Sequence, residues 1–125
     1  MNIENNLGNW EEGAEKKIRL KNDKYRAARG GEAHLLEISC ARCNKQIILY
    51  QKDGKGGLLR CYLNRIMYPF LLENLQYNFN SKNIKSLPNL KCYVCSNIIG
   101  IPMIYEDGRV AYRLRKGFYS KRRLF

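Results

Sequence analysis

CARC at residues 40–43 and CYVC at residues 92–95 are two CxxC pairs with 48 residues between them. A CxxC turn lets two thiolates reach one metal ion from a single knuckle. Zn²⁺ prefers four tetrahedral ligands, with sulfur at about 2.3 Å. Cys40, Cys43, Cys92 and Cys95 therefore read as one closed, structural zinc site. A redox dithiol and ordinary buried cysteines are the competing readings. A single redox pair needs no second CxxC in a matching context, and here both pairs have one. Each is entered by an apolar stretch and left by a polar turn, Asn44-Lys45 in one case and Ser96-Asn97 in the other.

Outward from the knuckles the texture is that of short strands. HLLEIS (34–39) leads into Cys40, IILY (47–50) follows, and QKDGKGG (51–57) is a glycine-rich turn before LLRCYL (58–63). That pattern predicts a hairpin between residues 47–50 and 58–63. LKCYVC repeats the strand-into-cysteine pattern, and Asp107-Gly108 between IIGIPMIY (98–105) and RVAYRL (109–114) predicts a second hairpin. A short helix is expected after Pro69 and a loop over 80–89. Upstream, Trp10, Ala14, Ile18 and Tyr25 fall near one face of a helix running to Arg29, stopped by Gly30-Gly31. The first nine residues carry little to bury and read as disordered. The chain thus divides into a polar N-terminal extension with an amphipathic helix (1–34), a four-cysteine zinc-binding β domain (35–119) and a basic tail (120–125). The fold class is mainly β, a small α+β arrangement of zinc-stapled antiparallel hairpins, either β-tent or zinc-ribbon-like with a long insertion.

The chain has 125 residues and a formal charge of +12. Residues 1–39 are neutral overall, so the entire surplus lies on the cysteine-bearing part. Such a charge density gathers polyanions, and nucleic acid is the commonest partner for it; the alternative is that it merely aids solubility. Arginine and lysine interleave with aromatics at Arg60-Cys61-Tyr62, Tyr112-Arg113 and Phe118-Tyr119. The candidate nucleic-acid contacts are Lys52, Lys55, Arg60, Arg113, Arg115, Lys116, Lys121, Arg122 and Arg123. No run approaches the roughly 20 apolar residues that cross a bilayer. The polar, acidic start is unlike a signal peptide, so a reducing, cytoplasmic location without membrane contact is expected.

Catalytic chemistry finds little support. The acids of the cysteine-bearing part are Asp53, Glu73, Glu106 and Asp107, and three of them are explained by turns. Cys61 reads as a small buried hydrophobe, with a reactive thiol lowered by Arg60 as the other reading. His34 reads as a surface residue.

The order of motifs resembles the β-tent group, which includes Yippee-like proteins, the ligand-binding domain of cereblon and methionine sulfoxide reductase B. Similarity to Yippee is carried by Cys40-x-x-Cys43, Gly54 to Gly57 and Tyr62-Leu63. It continues through Cys92-x-x-Cys95, Ile99-Gly100 and Arg115-Lys116-Gly117. The resemblance covers about residues 35–119 and implies a β-tent fold. The chain departs from the reductase: it has no Gly-Trp-Pro-Ser-Phe, and Cys61 precedes the second knuckle. It departs from cereblon in that Trp10 is its one tryptophan.

Three functions follow as expectations. The first is a non-enzymatic zinc module that binds nucleic acid, RNA favoured over DNA, or joins a nucleoprotein assembly such as the ribosome. The second is an adaptor whose N-terminal helix and zinc domain bridge protein partners. The third is a thiol redox enzyme using Cys61, related to methionine sulfoxide reductase B.

Overall fold

The structure is a computed structural model and describes residues 10–125; the expectation for residues 1–9 lies outside it. Among the described residues, eight strands form two four-stranded antiparallel sheets. The first sheet contains β1 (Ala33–Cys40), β2 (Gln46–Asp53), β4 (Ile66–Tyr68) and β8 (Tyr119–Arg123), in the order β4-β2-β1-β8. The second contains β3 (Arg60–Tyr62), β5 (Leu90–Lys91), β6 (Ile98–Ile104) and β7 (Val110–Leu114), in the order β3-β7-β6-β5. The helices are short: α1 (Lys24–Ala28), α2 (Phe70–Glu73) and α3 (Leu75–Asn78). This is the mainly β, small α+β class expected from the patterning.

The main core lies between the two sheets. Alternate residues of β1 (Leu36, Ile38, Cys40) meet Tyr50, Cys61, Ile99 and Tyr112, as the two-residue period of a strand requires. Gly100 is demanded by this packing, since a Cβ there would stand 2.8 Å from the Tyr112 Cβ across the β6–β7 pair. Tyr112 keeps its hydroxyl satisfied by donating to the Pro88 carbonyl at 2.8 Å. The opposite face of the first sheet shows Leu35 and Leu49. They are covered by Ala14, with Trp10, Ile18 and Leu20 packed around them.

The N-terminal segment departs from the expected continuous helix. Residues Ala14–Lys17 form one 3₁₀ turn, the chain then runs extended, and α1 begins only after Asp23. Asp23 caps α1 by accepting from the Tyr25 and Arg26 backbone N–H groups. The extended stretch wins because it lays Ile18 and Leu20 on the sheet and brings Lys21 to Gln51. The Lys21 N–H donates to Gln51 Oε1 at 2.6 Å, and Gln51 Nε2 donates back to the Lys21 carbonyl at 2.9 Å. Gly30 and Gly31 do end the helix, both at positive φ, with the Gly31 N–H returning to the Arg26 carbonyl. The same segment is therefore folded onto its own sheet.

One further expectation is corrected. Residues 47–50 and 58–63 do not form a hairpin. β2 pairs with β1 and β4, while β3 pairs with β7, so the glycine-rich loop carries the chain from one sheet to the other. Gly54 sits at φ 76, with its Cα against Arg29: a Cβ there would lie 2.8 Å from the Arg29 carbonyl oxygen and Cβ. Within the basic tail, residues 120–123 belong to β8, whose register sets Ile38 opposite Lys121 and Leu36 opposite Arg123. The β6–β7 hairpin around Asp107-Gly108 is formed as read, with Gly108 at φ 88.

Arg65, fully buried, joins these parts. Its Nε donates to Asp53 Oδ2 at 2.7 Å and its Nη1 to Asp23 Oδ2 at 3.0 Å. The guanidinium holds the Asp23 carboxyl at about 2, well below the usual carboxylate range; burial opposes that shift and the two capping N–H groups assist it. A buried pair that loses one member leaves an uncompensated charge. Arg65→Met should therefore lower unfolding free energy by about 3–5 kcal/mol. Urea unfolding checks this, and a loss below about 1 kcal/mol would mean that the network carries no such strain on removal.

Candidate metal centre

Each cysteine pair sits in the connection of a β-hairpin, the first between β1 and β2 and the second between β5 and β6. The two knuckles are built alike. In the first, the Cys40 N–H donates to the Lys45 carbonyl at 2.8 Å and the Asn44 N–H to the Cys40 carbonyl at 2.9 Å. In the second, the Cys92 N–H donates to the Asn97 carbonyl at 2.9 Å and the Ser96 N–H to the Cys92 carbonyl at 2.9 Å. The residue after each second cysteine turns left-handed, Asn44 at φ 63 and Ser96 at φ 62. This turn ends the knuckle and swings the chain into the next strand.

The knuckles face one another. Sγ of Cys40 lies 3.6 Å from that of Cys95, and Sγ of Cys43 lies 3.4 Å from that of Cys92. All four sulfurs fall within 4.8 Å of one another. Tetrahedral bonds of about 2.3 Å to a common ion would separate sulfurs by about 3.8 Å. The donor set fits a tetrahedral thiolate-bound metal ion. Cys40 and Cys92 are buried, and Cys43 and Cys95 are half-buried.

A second layer of donors supports the sulfurs. The Arg42 N–H and Asn97 Nδ2 each donate to Cys40 Sγ at 3.4 Å. Asn97 Nδ2 also donates to the Phe118 carbonyl at 3.0 Å, and that carbonyl accepts from the Ala41 N–H at 3.2 Å. One backbone oxygen from the β7–β8 connection thus ties both knuckles together. Burial pushes both inner thiols up. At Cys40 the donors from Asn97, Cys43 and Arg42 outweigh it and bring the thiol down to about 6. At Cys92 burial prevails over its backbone donors and pushes the thiol up to about 12.

The chain matches no family model, no curated protein and no solved structure. What points to a metal is the geometry of the four cysteines.

The other residues singled out from the sequence are scattered more widely. Arg60 and Arg113 are cross-strand neighbours on the outward face of the second sheet, beside Ile101. Lys52 is the next-to-last residue of β2 and donates to the Gly54 carbonyl at 2.9 Å, with exposed Lys55 in the loop that follows. Arg115 lies over the Phe118 ring, 3.7 Å from its centroid, and donates to the Ile98 carbonyl, with exposed Lys116 after it. Lys121 and Arg123 share one face of β8. Arg122 turns to the other and pairs with Glu37 at 3.3 Å. Cys61 is fully buried in mid-strand, and burial drives its thiol far up, away from the reactive range. His34 is more covered than a surface residue: it lies on β1 with Nε2 3.0 Å from Glu32.

Sequence reasoning missed Arg109, Tyr25 and Tyr105. The Arg109 guanidinium is sandwiched between the rings of Tyr62, at 3.6 Å, and Tyr25, at 3.9 Å. The Asp107-Gly108 turn beside Arg109 was visible, but nothing local to Tyr25 points to a partner more than 80 positions away.

Two outcomes follow. Chelation, or Cys92→Ser, should collapse the near-UV circular dichroism signal, because metal binding and folding are coupled in closed thiolate sites. Asn97→Ala should leave a folded protein whose metal affinity, read by chelator competition, falls by about 10- to 100-fold.

Proposed function

We propose that this protein is a non-enzymatic, zinc-stapled basic module that binds nucleic acid, RNA ahead of DNA, either as free strands or within a nucleoprotein assembly such as the ribosome. Zinc is the ion that suits four converging thiolates with no open position, which makes its contribution structural rather than catalytic. It locks the scaffold on which the positive side chains are displayed.

The observation that carries the reading is the lack of acidic counterparts for those side chains. Of the nine basic residues named from the sequence, one, Arg122, has an acidic side chain within 4.0 Å among the described residues. Two of the four acids of this half are engaged elsewhere, Asp53 with Arg65 and Asp107 with Arg109. Cations kept apart from acids at some cost in self-repulsion are suited to phosphates. Single-stranded RNA is favoured because half-buried Tyr62 and Tyr105, and exposed Phe118, accompany these cations, and unpaired bases stack on such rings.

The test is fluorescence anisotropy with a labelled single-stranded RNA across a salt series. If six to ten phosphates are contacted, affinity should fall by about 10³–10⁵ between 50 and 200 mM salt. Arg113→Gln and Lys116→Gln should each reduce the salt slope by about one unit. Absence of binding at 50 mM salt by the zinc-loaded protein would overturn the reading.

A further inference from the structure

A groove of about 220 Å³ lies away from the cysteines, between α1, the end of β2, the glycine-rich loop and the β6–β7 turn. Its aromatic wall is Tyr62 and Tyr105, edge to face with centroids 5.5 Å apart. The Arg60 guanidinium lies over Tyr105, 4.4 Å from the ring centroid, and Nη1 donates to the Tyr62 hydroxyl at 3.4 Å. Arg109, held between Tyr62 and Tyr25, continues the same layering. Lys52 and Arg29 also line the groove, close enough for their charges to act on one another.

Two acids also line it, and both are engaged. Asp53 accepts from Arg65 at 2.7 Å and from Gln51 at 2.9 Å; Asp107 accepts from Arg109 at 2.8 Å. Lys52 meanwhile feels Arg29 and Lys121. Burial first, and then these two like charges, lower its pKa, although Asp53 and Glu32 pull the other way. The groove therefore combines planar faces with a crowd of cations that an anion would relieve. At about 220 Å³ it is smaller than the usual pocket for a drug-sized ligand. One small planar group fits better than an extended molecule. It is also continuous with the outward face of the second sheet, because Arg60 is the cross-strand neighbour of Arg113.

We infer that this groove receives one unpaired nucleotide of a single strand, its base against the Arg60–Tyr62–Tyr105 wall and its phosphate between Arg29 and Lys52. The inference rests on the nucleic-acid reading above and deepens it. Arginine planes and tyrosine rings stack on any base, so the site selects for an unpaired nucleotide rather than for a sequence. A base held in a duplex cannot enter.

The experiment uses the zinc-loaded full chain and a short oligouridine carrying one 2-aminopurine, whose fluorescence reports stacking. Binding should change the 2-aminopurine signal in the single strand. The same strand annealed to its complement should bind several-fold more weakly, with no such change. Tyr105→Leu and Arg60→Gln should each weaken single-strand binding by about 5- to 100-fold and abolish the signal. Should Tyr105→Leu fail to fold, Lys52→Gln at the open side still reads the phosphate, through a salt slope lower by about one unit. Variants that bind and report as the parent does would overturn the groove while leaving nucleic-acid binding intact. Equal affinity for the duplex, or a signal from free 2-aminopurine riboside monophosphate with none from the strand, would likewise overturn it. A parent protein that binds no RNA at low salt would instead remove the reading beneath.

Discussion

Two cysteine pairs held face to face are the constraint on which the two sheets depend. The sulfurs of Cys40 and Cys43 meet those of Cys95 and Cys92 across gaps of 3.4–3.6 Å. Each pair belongs to a hairpin in a different sheet, so joining them closes a loop of about fifty residues. Closing a loop of that length has a real entropic cost, and four thiolates crowded together are stable only around a shared positive charge. A metal ion held by the four sulfurs would answer both problems at once, because binding energy in such a site is folding energy.

The near-identity of the knuckles extends the constraint outward. Both use the same pair of backbone hydrogen bonds and the same left-handed residue, so the strands leave each knuckle in the same way. The β7–β8 connection then crosses both. Its Phe118 carbonyl accepts from Ala41 in one knuckle and Asn97 in the other, and this fixes where β8 begins. From there β8 pairs with β1 and presents Lys121 and Arg123 on one face and Arg122 on the other. The display of positive charge thus follows from the metal-side geometry rather than from a free tail.

A second polar centre holds the far side. Buried Arg65 bridges Asp53 on β2 and Asp23 at the head of α1, while Gln51 and Lys21 exchange backbone and side-chain hydrogen bonds. Asp53 also lines the groove, beside Lys52, Arg29 and Arg60, but its carboxylate is engaged by Arg65. A stabilising network on one side of a carboxylate therefore sets the electrostatic character of the other side. Tyr25 takes part in both: it follows the α1 cap and forms one face of the stack around Arg109.

Local pattern was enough for the features that depend on near neighbours. The CxxC spacing named all four cysteines, Asp107-Gly108 named a hairpin, and Gly30-Gly31 named a helix end, since each rests on the conformational limits of a few adjacent residues. Long-range partnership was not legible. The apolar spacing of Trp10, Ala14 and Ile18 suits a helix, but a sheet face carrying Leu35 and Leu49, together with the Gln51 amide, rewarded an extended chain instead. The glycine-rich loop looked like a hairpin turn because its residues permit one; only the competition for partners sent β3 to β7 and left β2 with β1 and β4. The sequence by itself determined the chemistry available, namely thiolates in pairs and a surplus of cations. The tertiary structure alone decided which of those cations stand beside tyrosines and which are neutralised, because that depends on contacts between residues tens of positions apart.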